Sequence, residues 1–226
     1  MPGRRLVVTG APRSGTTWVA HALLEAGVPC SHERVATEFG QRPWATWAAD
    51  SSWCWPAYYD ALDLATPVVI VYRSPWPTVT SLVRCGWVAD DPTNAAVDVF
   101  LRHHAPAVYD AADETGRAAS WWATWYGWAL DWPGRRLVFD LADLTDDPTV
   151  LRALAGAAGS PISEPHAARI QAALPPLNAA KSRRSDALPV DPGDLDPDLA
   201  ALVAERWEQL TALADATWAD LVETLA

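Results

Sequence analysis

Residues Leu6 to Gly27 read L-V-V-T-G-A-P-R-S-G-T-T-W-V-A-H-A-L-L-E-A-G, and the fold is decided there. Leu6 to Thr9 is a short apolar run of strand type that ends at Gly10. A polar, glycine-bearing loop follows, Gly10 to Thr16. Trp18, Val19, Ala22 and Leu23 then recur at helical spacing until Gly27 stops the helix. The reading is strand, loop, helix. The first N–H groups of a helix have no partner within it, and the dipole behind them is positive. Such a loop therefore receives phosphate or sulfate.

The loop comes close to the Walker A pattern G-x-x-x-x-G-K-[ST]. Gly10 and Gly15 have the right interval and Thr17 fits the last position, but Thr16 stands where the lysine belongs. The cation has moved to Arg13, inside the loop. A nucleoside triphosphatase needs that lysine on its terminal phosphates, so ATP or GTP hydrolysis loses support. A mere strand-to-helix turn explains less, because Arg13, Ser14, Thr16 and Thr17 crowd the same few positions.

The clearest strand is Val68 to Tyr72, an unbroken apolar run expected in a parallel sheet covered on both faces. It ends at Arg73-Ser74-Pro75, and a helix is predicted from about Pro77 to Cys85. Arg73 and Ser81 are eight residues apart, with Arg84 three further on. An arginine at a strand end offers a forked, charged clamp for an anion, and a serine on the next helix adds a hydroxyl.

Two of these segments resemble sulfotransferases that use 3′-phosphoadenosine 5′-phosphosulfate (PAPS). P-R-S-G-T-T-W, Pro12 to Trp18, resembles their phosphosulfate loop, and Arg73 to Ser81 resembles R-D-P-x-x-x-x-x-S with Ser74 in place of aspartate. Cys30 to Arg34, C-S-H-E-R, resembles the segment that carries a catalytic glutamate in tyrosylprotein and some heparan-type members. The resemblance implies an α/β fold of the P-loop kinase type, a central parallel sheet flanked by helices in three layers. It implies that Arg13, Ser14, Gly15, Thr16, Thr17 and Trp18 hold the 5′-phosphosulfate, and that Arg73 and Ser81 hold the 3′-phosphate. Glu33 would take the acceptor's proton. Arg13 would also stabilise charge on the leaving phosphate oxygen during in-line displacement. His32, Glu38, His103 and His104 are rival bases. His32 and Glu33 are neighbours on one strand, so they are expected to face opposite ways. The family's late basic segment implies a lid at 175–198 carrying Lys181, Arg183 and Arg184. The scheme needs no metal.

Composition narrows the partners. The net charge is −11, which argues against nucleic acid as a partner, so an anionic cofactor must sit in a local basic pocket. Lys181 is the only lysine. Three cysteines, Cys30, Cys54 and Cys85, fit neither a disulfide framework nor metal spacing. With no long apolar run, the expectation is one soluble cytoplasmic domain over 1–226, without membrane contact. The acceptor is a small molecule, a glycan or a peptide.

Elsewhere, Val28 to Ser31 reads as a strand, and Glu38 to Leu64 as two short helices. Asn94 to Ala112 reads as one helix, Gly116 as a break, and Arg117 to Leu130 as a helix with a Trp121, Trp125, Trp128 stripe. The default for that stripe is core; the sharper reading, with Asn94 to Ala112, is an acceptor wall. Arg136 to Leu141 reads as a strand, then Pro148 to Ala158, Glu164 to Ala173 and 197–225 as helices. The last helix offers a homodimer face. Two other functions are weighed: a P-loop kinase using ATP and magnesium, and a non-catalytic, tryptophan-rich interaction protein.

Overall fold

The computed structural model describes residues 5–34, 47–174 and 189–225. Among them, five strands form one all-parallel sheet in the order β2-β3-β1-β4-β5. The strands are β1 (Leu6–Thr9), β2 (Cys30–His32), β3 (Ala49–Ser51), β4 (Val68–Tyr72) and β5 (Arg136–Asp140). The principal helices are α1 (Thr16–Glu25), α2 (Pro75–Cys85), α3 (Ala95–His104), α4 (Glu114–Leu130), α5 (Leu141–Asp146), α6 (Pro148–Ala157), α7 (Glu164–Ala173) and α8 (Pro197–Leu225).

Alternation along the strands builds three layers. Val7, Val68, Ile70, Tyr72 and Val138 face one apolar cluster with α2, α4 and α8. Leu6, Val8, Val69, Val71, Leu137 and Phe139 face the other, with α1, α6 and α7. Successive side chains of a strand point to opposite faces, so a doubly covered strand must be apolar throughout. β4 is fully buried at all five positions. The strand order reverses between β1 and β4, and ligands of open α/β sheets bind outside the carboxyl ends at that point.

Three of the four tryptophans of α4 are core, and Trp128 is half-buried. Trp121, Trp122 and Trp125 are wholly buried, and Trp53 meets Trp121 and Trp125 with ring centroids 5.5 Å apart in each case. The Trp125 indole N–H donates to the Trp53 carbonyl. Trp44 lies outside the described residues.

Several expectations are corrected. The segment read as two short helices contains β3, followed by a 3₁₀ segment, Trp55–Ala61. The helix read over Asn94 to Ala112 ends at His104, because Pro106 lacks an N–H and opens a separate 3₁₀ turn, Pro106–Asp110. Gly116 does not break α4 but lies in its first turn, where its N–H donates to the Asp113 side chain at 2.7 Å. β2 begins two residues later than read, and α2 two residues earlier. The segment read as one irregular stretch over 175–198 holds a 3₁₀ turn, Pro192–Asp194, and the start of α8; its residues 175–188 are outside the described set. No helix among the described residues is long and apolar enough to cross a membrane.

Candidate functional site

The loop after β1 turns because its glycines admit no side chain. A Cβ on Gly10 would strike the Val71 carbonyl and the Ser14 hydroxyl. Gly15 has φ +104°, and a Cβ there would overlap Leu141. Arg13 also takes a left-handed backbone, φ 72°. Ser14 is buried, and both its N–H and its hydroxyl donate to the Ala11 carbonyl, at 3.0 and 2.5 Å. Its side chain thus shapes the loop from inside. The Ser51 hydroxyl of β3 donates to the Thr16 carbonyl at 2.7 Å and ties the start of α1 to the sheet. No side chain caps α1, and its first turn carries no acidic residue. Its leading N–H groups are left for a ligand.

Arg73 leaves the carboxyl end of β4 next to this loop. A cavity of about 860 Å³ lies between them, lined among others by Arg13, Gly15, Trp18, Arg73, Ser81 and Arg84. The Arg13 Nε–H donates to Ser81 Oγ at 2.9 Å, so the loop arginine and the helix serine meet across 68 residues of chain. The far wall is built by Asp140, Leu141 and Thr145 at the end of β5. Pro189 and Val190 complete it, held by the Val190 N–H donating to Thr80 Oγ1 at 3.0 Å. Three guanidinium groups thus line one cavity of a protein with net charge −11.

Five of the residues expected to hold the nucleotide line this cavity: Arg13, Gly15, Trp18, Arg73 and Ser81. Ser14, Thr16 and Thr17, in the loop and first turn, are not among its lining residues. Lys181, Arg183, Arg184 and the rival base Glu38 fall outside the described residues. Trp76 and the β5 end also line the cavity, and sequence reading missed them. Trp76 follows Arg73-Ser74-Pro75 directly, and that position was the available signal. The β5 end had none, because its place beside Arg73 depends on strand order.

Glu33 is not among the cavity-lining residues. It follows β2 in a left-handed conformation, φ 58°, and its N–H donates to the Ser51 carbonyl at 3.2 Å. That turn brings it back toward its neighbour: Glu33 Oε1 is 3.7 Å from His32 Nε2. The expected opposition of the two side chains fails because the strand ends at His32. His32 Nε2 is also hydrogen-bonded to Thr17 Oγ1 at 3.1 Å, so Glu33 reaches α1 through the imidazole.

The remaining rival bases lie elsewhere. His104 stacks on Phe100 with centroids 4.4 Å apart and is hydrogen-bonded to Tyr58 at 3.4 Å. Burial and the neighbouring His103 push its pKa below the usual histidine value. It lines a second cavity, about 570 Å³, with Leu64, Trp132 and Pro133, which precede β4 and β5. That cavity therefore sits toward the amino edge of the sheet. The three cysteines are buried and unbridged, and burial pushes the Cys30 thiol up to about 12.

No family model matches this chain, and no curated sequence relative is found. Solved structures do match. The sulfotransferase domain from the curacin biosynthetic pathway superposes with a TM-score of 0.55 at 15% identity, over 93% of this chain and 98% of that one. A sulfotransferase from Alicyclobacillus acidocaldarius gives 0.46 at 16% identity, over 93% and 95%. The parallel sheet flanked by helices and the superposition on the curacin-pathway domain over 93% of this chain together give the chain the sulfotransferase fold.

Proposed function

We propose that this chain is a sulfotransferase that uses PAPS as donor and a hydroxyl or amine as acceptor, on a small molecule, a glycan or a peptide. The observation that carries this reading is the cavity at the strand-order reversal, where Arg13, Arg73 and Arg84 converge beside an uncapped helix N-terminus. Its volume suits a nucleotide, and its cations suit two separate anionic groups. PAPS supplies an activated sulfuryl group, which passes to the acceptor oxygen or nitrogen as adenosine 3′,5′-bisphosphate departs.

The residues then divide the work. The N–H groups of the first turn of α1, with Arg13, hold the 5′ end and stabilise charge on the leaving phosphate oxygen. Arg73 and Ser81 hold the 3′-phosphate, which distinguishes this nucleotide from ADP or ATP. Glu33 takes the proton from the acceptor as the new bond forms. Its side chain is 43% exposed, which leaves room for an acceptor to approach. A lid carrying Lys181, Arg183 and Arg184 belongs to the same proposal.

Calorimetric titration with adenosine 3′,5′-bisphosphate, against ADP and ATP with and without magnesium, tests the reading. Tight binding without magnesium is expected. Preference for ATP with magnesium would replace the proposal with a kinase, and no binding at all would favour a non-catalytic role.

A further inference from the structure

One ring nitrogen joins the carboxylate to the loop. His32 Nε2 lies 3.1 Å from Thr17 Oγ1 and 3.7 Å from Glu33 Oε1. The positions are well defined by the backbone. His32 ends β2 in register with Ser51, Glu33 is turned back by its left-handed φ, and Thr17 stands in the first turn of α1. Asp50, one residue before Ser51, turns to the other face, where Ser31 Oγ and the Trp55 indole N–H donate to it at 2.5 and 2.7 Å.

A ring nitrogen carries one proton or none. If Nε2 were bare, its lone pair would face a carboxylate oxygen, which is repulsive. Thr17 would then also have to give its single hydroxyl proton to the ring. With a proton on Nε2, both neighbours are acceptors toward it. The Thr17 hydroxyl then accepts from the ring, and its own hydrogen turns away from His32. The electrostatics of the pair favour this second arrangement.

We infer that His32 is a positioning residue. Protonated at Nε2 and held so by Glu33, it orients the Thr17 hydroxyl as a donor to the anion at the N-terminus of α1. The identity of that anion rests on the function proposed above. The inference adds a coupling between its two halves. The carboxylate that takes the acceptor proton also holds the loop hydroxyl in its donor state, so the acceptor side and the donor side are set together.

Two measurements decide this. The first uses the full chain without ligand: ¹⁵N–¹H correlation of the histidine rings at pH 8. His32 is expected in its Nε2–H form, with a shift toward Nδ1–H in Glu33→Gln. A bare Nε2 in the wild-type chain would overturn the inference. The second is calorimetry with adenosine 3′,5′-bisphosphate. Thr17→Val and His32→Ala should each weaken binding about tenfold, and the double variant no further, because one hydrogen bond to a charged group is lost each time. His32→Gln places an amide N–H near the position of Nε2 and should regain most of the loss. Thr17→Val and His32→Gln keep side-chain size, so a general loss of fold is not mistaken for the effect. Losses that multiply in the double variant, to about a hundredfold, would sink the coupling. If the wild-type chain binds no nucleotide, the cofactor reading fails, while the ring spectrum, taken without ligand, still decides the state of His32.

Discussion

The two edges of the sheet each carry a cavity, and they differ in kind. At the carboxyl edge, β1, β4 and β5 run into the N-termini of α1, α2 and α5, so backbone N–H groups and three arginines face one space. At the amino edge, α4 ends just before β5, and its last turn presents carbonyls; the Arg136 guanidinium donates to the Leu130 carbonyl there. The amino-edge cavity is walled by Pro56, Tyr59, Leu64, Trp128, Trp132 and Asp131. A parallel sheet with crossover helices makes this polarity unavoidable, since every helix dipole points the same way relative to the strands. The lesson is that an anion site here belongs to topology first and to arginines second.

The comparison breaks most sharply at Gly10. Gly10→Ala should cost at least about 3 kcal/mol in a denaturant titration, because its Cβ would meet the rigid Val71 carbonyl between β1 and β4. Gly159→Ala, at a left-handed position with nothing within 4 Å, should cost only about 1 kcal/mol. Equal costs would mean that the carboxyl edge is less tightly built than described.

Arg73→Ala should weaken adenosine 3′,5′-bisphosphate binding by about a hundredfold, with stability unchanged to within about 0.5 kcal/mol, since Arg73 is exposed. Calorimetry and a thermal melt on the same sample read both. A large loss of stability with binding intact would reverse the roles assigned to this residue.

Near the far wall of the cavity, Asp143 is pushed above the ordinary carboxylate value, first by burial and then by the charges of Asp140, Asp147, Asp146 and Asp215. A raised folded pKa means that the native chain binds the proton more tightly than the unfolded one. The resulting destabilisation is present above the folded pKa and vanishes as pH falls below the unfolded value, near 4. Asp143→Asn should therefore stabilise the chain at pH 7 by up to about 0.5 kcal/mol, the exposed setting screening the rest, and the gain should disappear by about pH 3. A gain that persisted in acid would point to packing instead.

The smallest effect sharpens the contrast. His104→Ala, at the amino edge, should change binding of the same nucleotide by less than about twofold, because the described lining of its cavity carries Asp60 and Asp131 and no arginine. A larger change would mean that the two cavities communicate.

Much of the fold was legible because its signals are local. The boundaries of β1, β4, α7 and α8 coincide with the sequence reading, as apolar runs, prolines at helix starts and a 3.6-residue period depend on neighbours in the chain. The cavity arginines Arg13 and Arg73 were legible too, each standing shortly beyond a strand end, whereas Arg84, in the last turn of α2, was noted without a role. Two misreadings were avoidable. Pro106 announces the end of α3, and Asp113 three residues before Gly116 is a helix cap.

Other features were decided only in three dimensions. β3 is Ala49-Asp50-Ser51, with two polar residues of low strand preference; it is a strand because β1 and β2 pair with it on either side. Its buried carboxylate is tolerated because Ser31 and Trp55 donate to it. The contact of Arg13 with Ser81 spans 68 residues, and the link from Glu33 through His32 to Thr17 depends on one left-handed residue at a strand end. The strand–loop–helix unit and the cations around it can be read along the chain, because they follow from local periodicity and from glycine's freedom at Gly15. Which strand lies beside which, and hence which side chains share one cavity, is settled by folding, because pairing energy comes from partners that are distant in the chain.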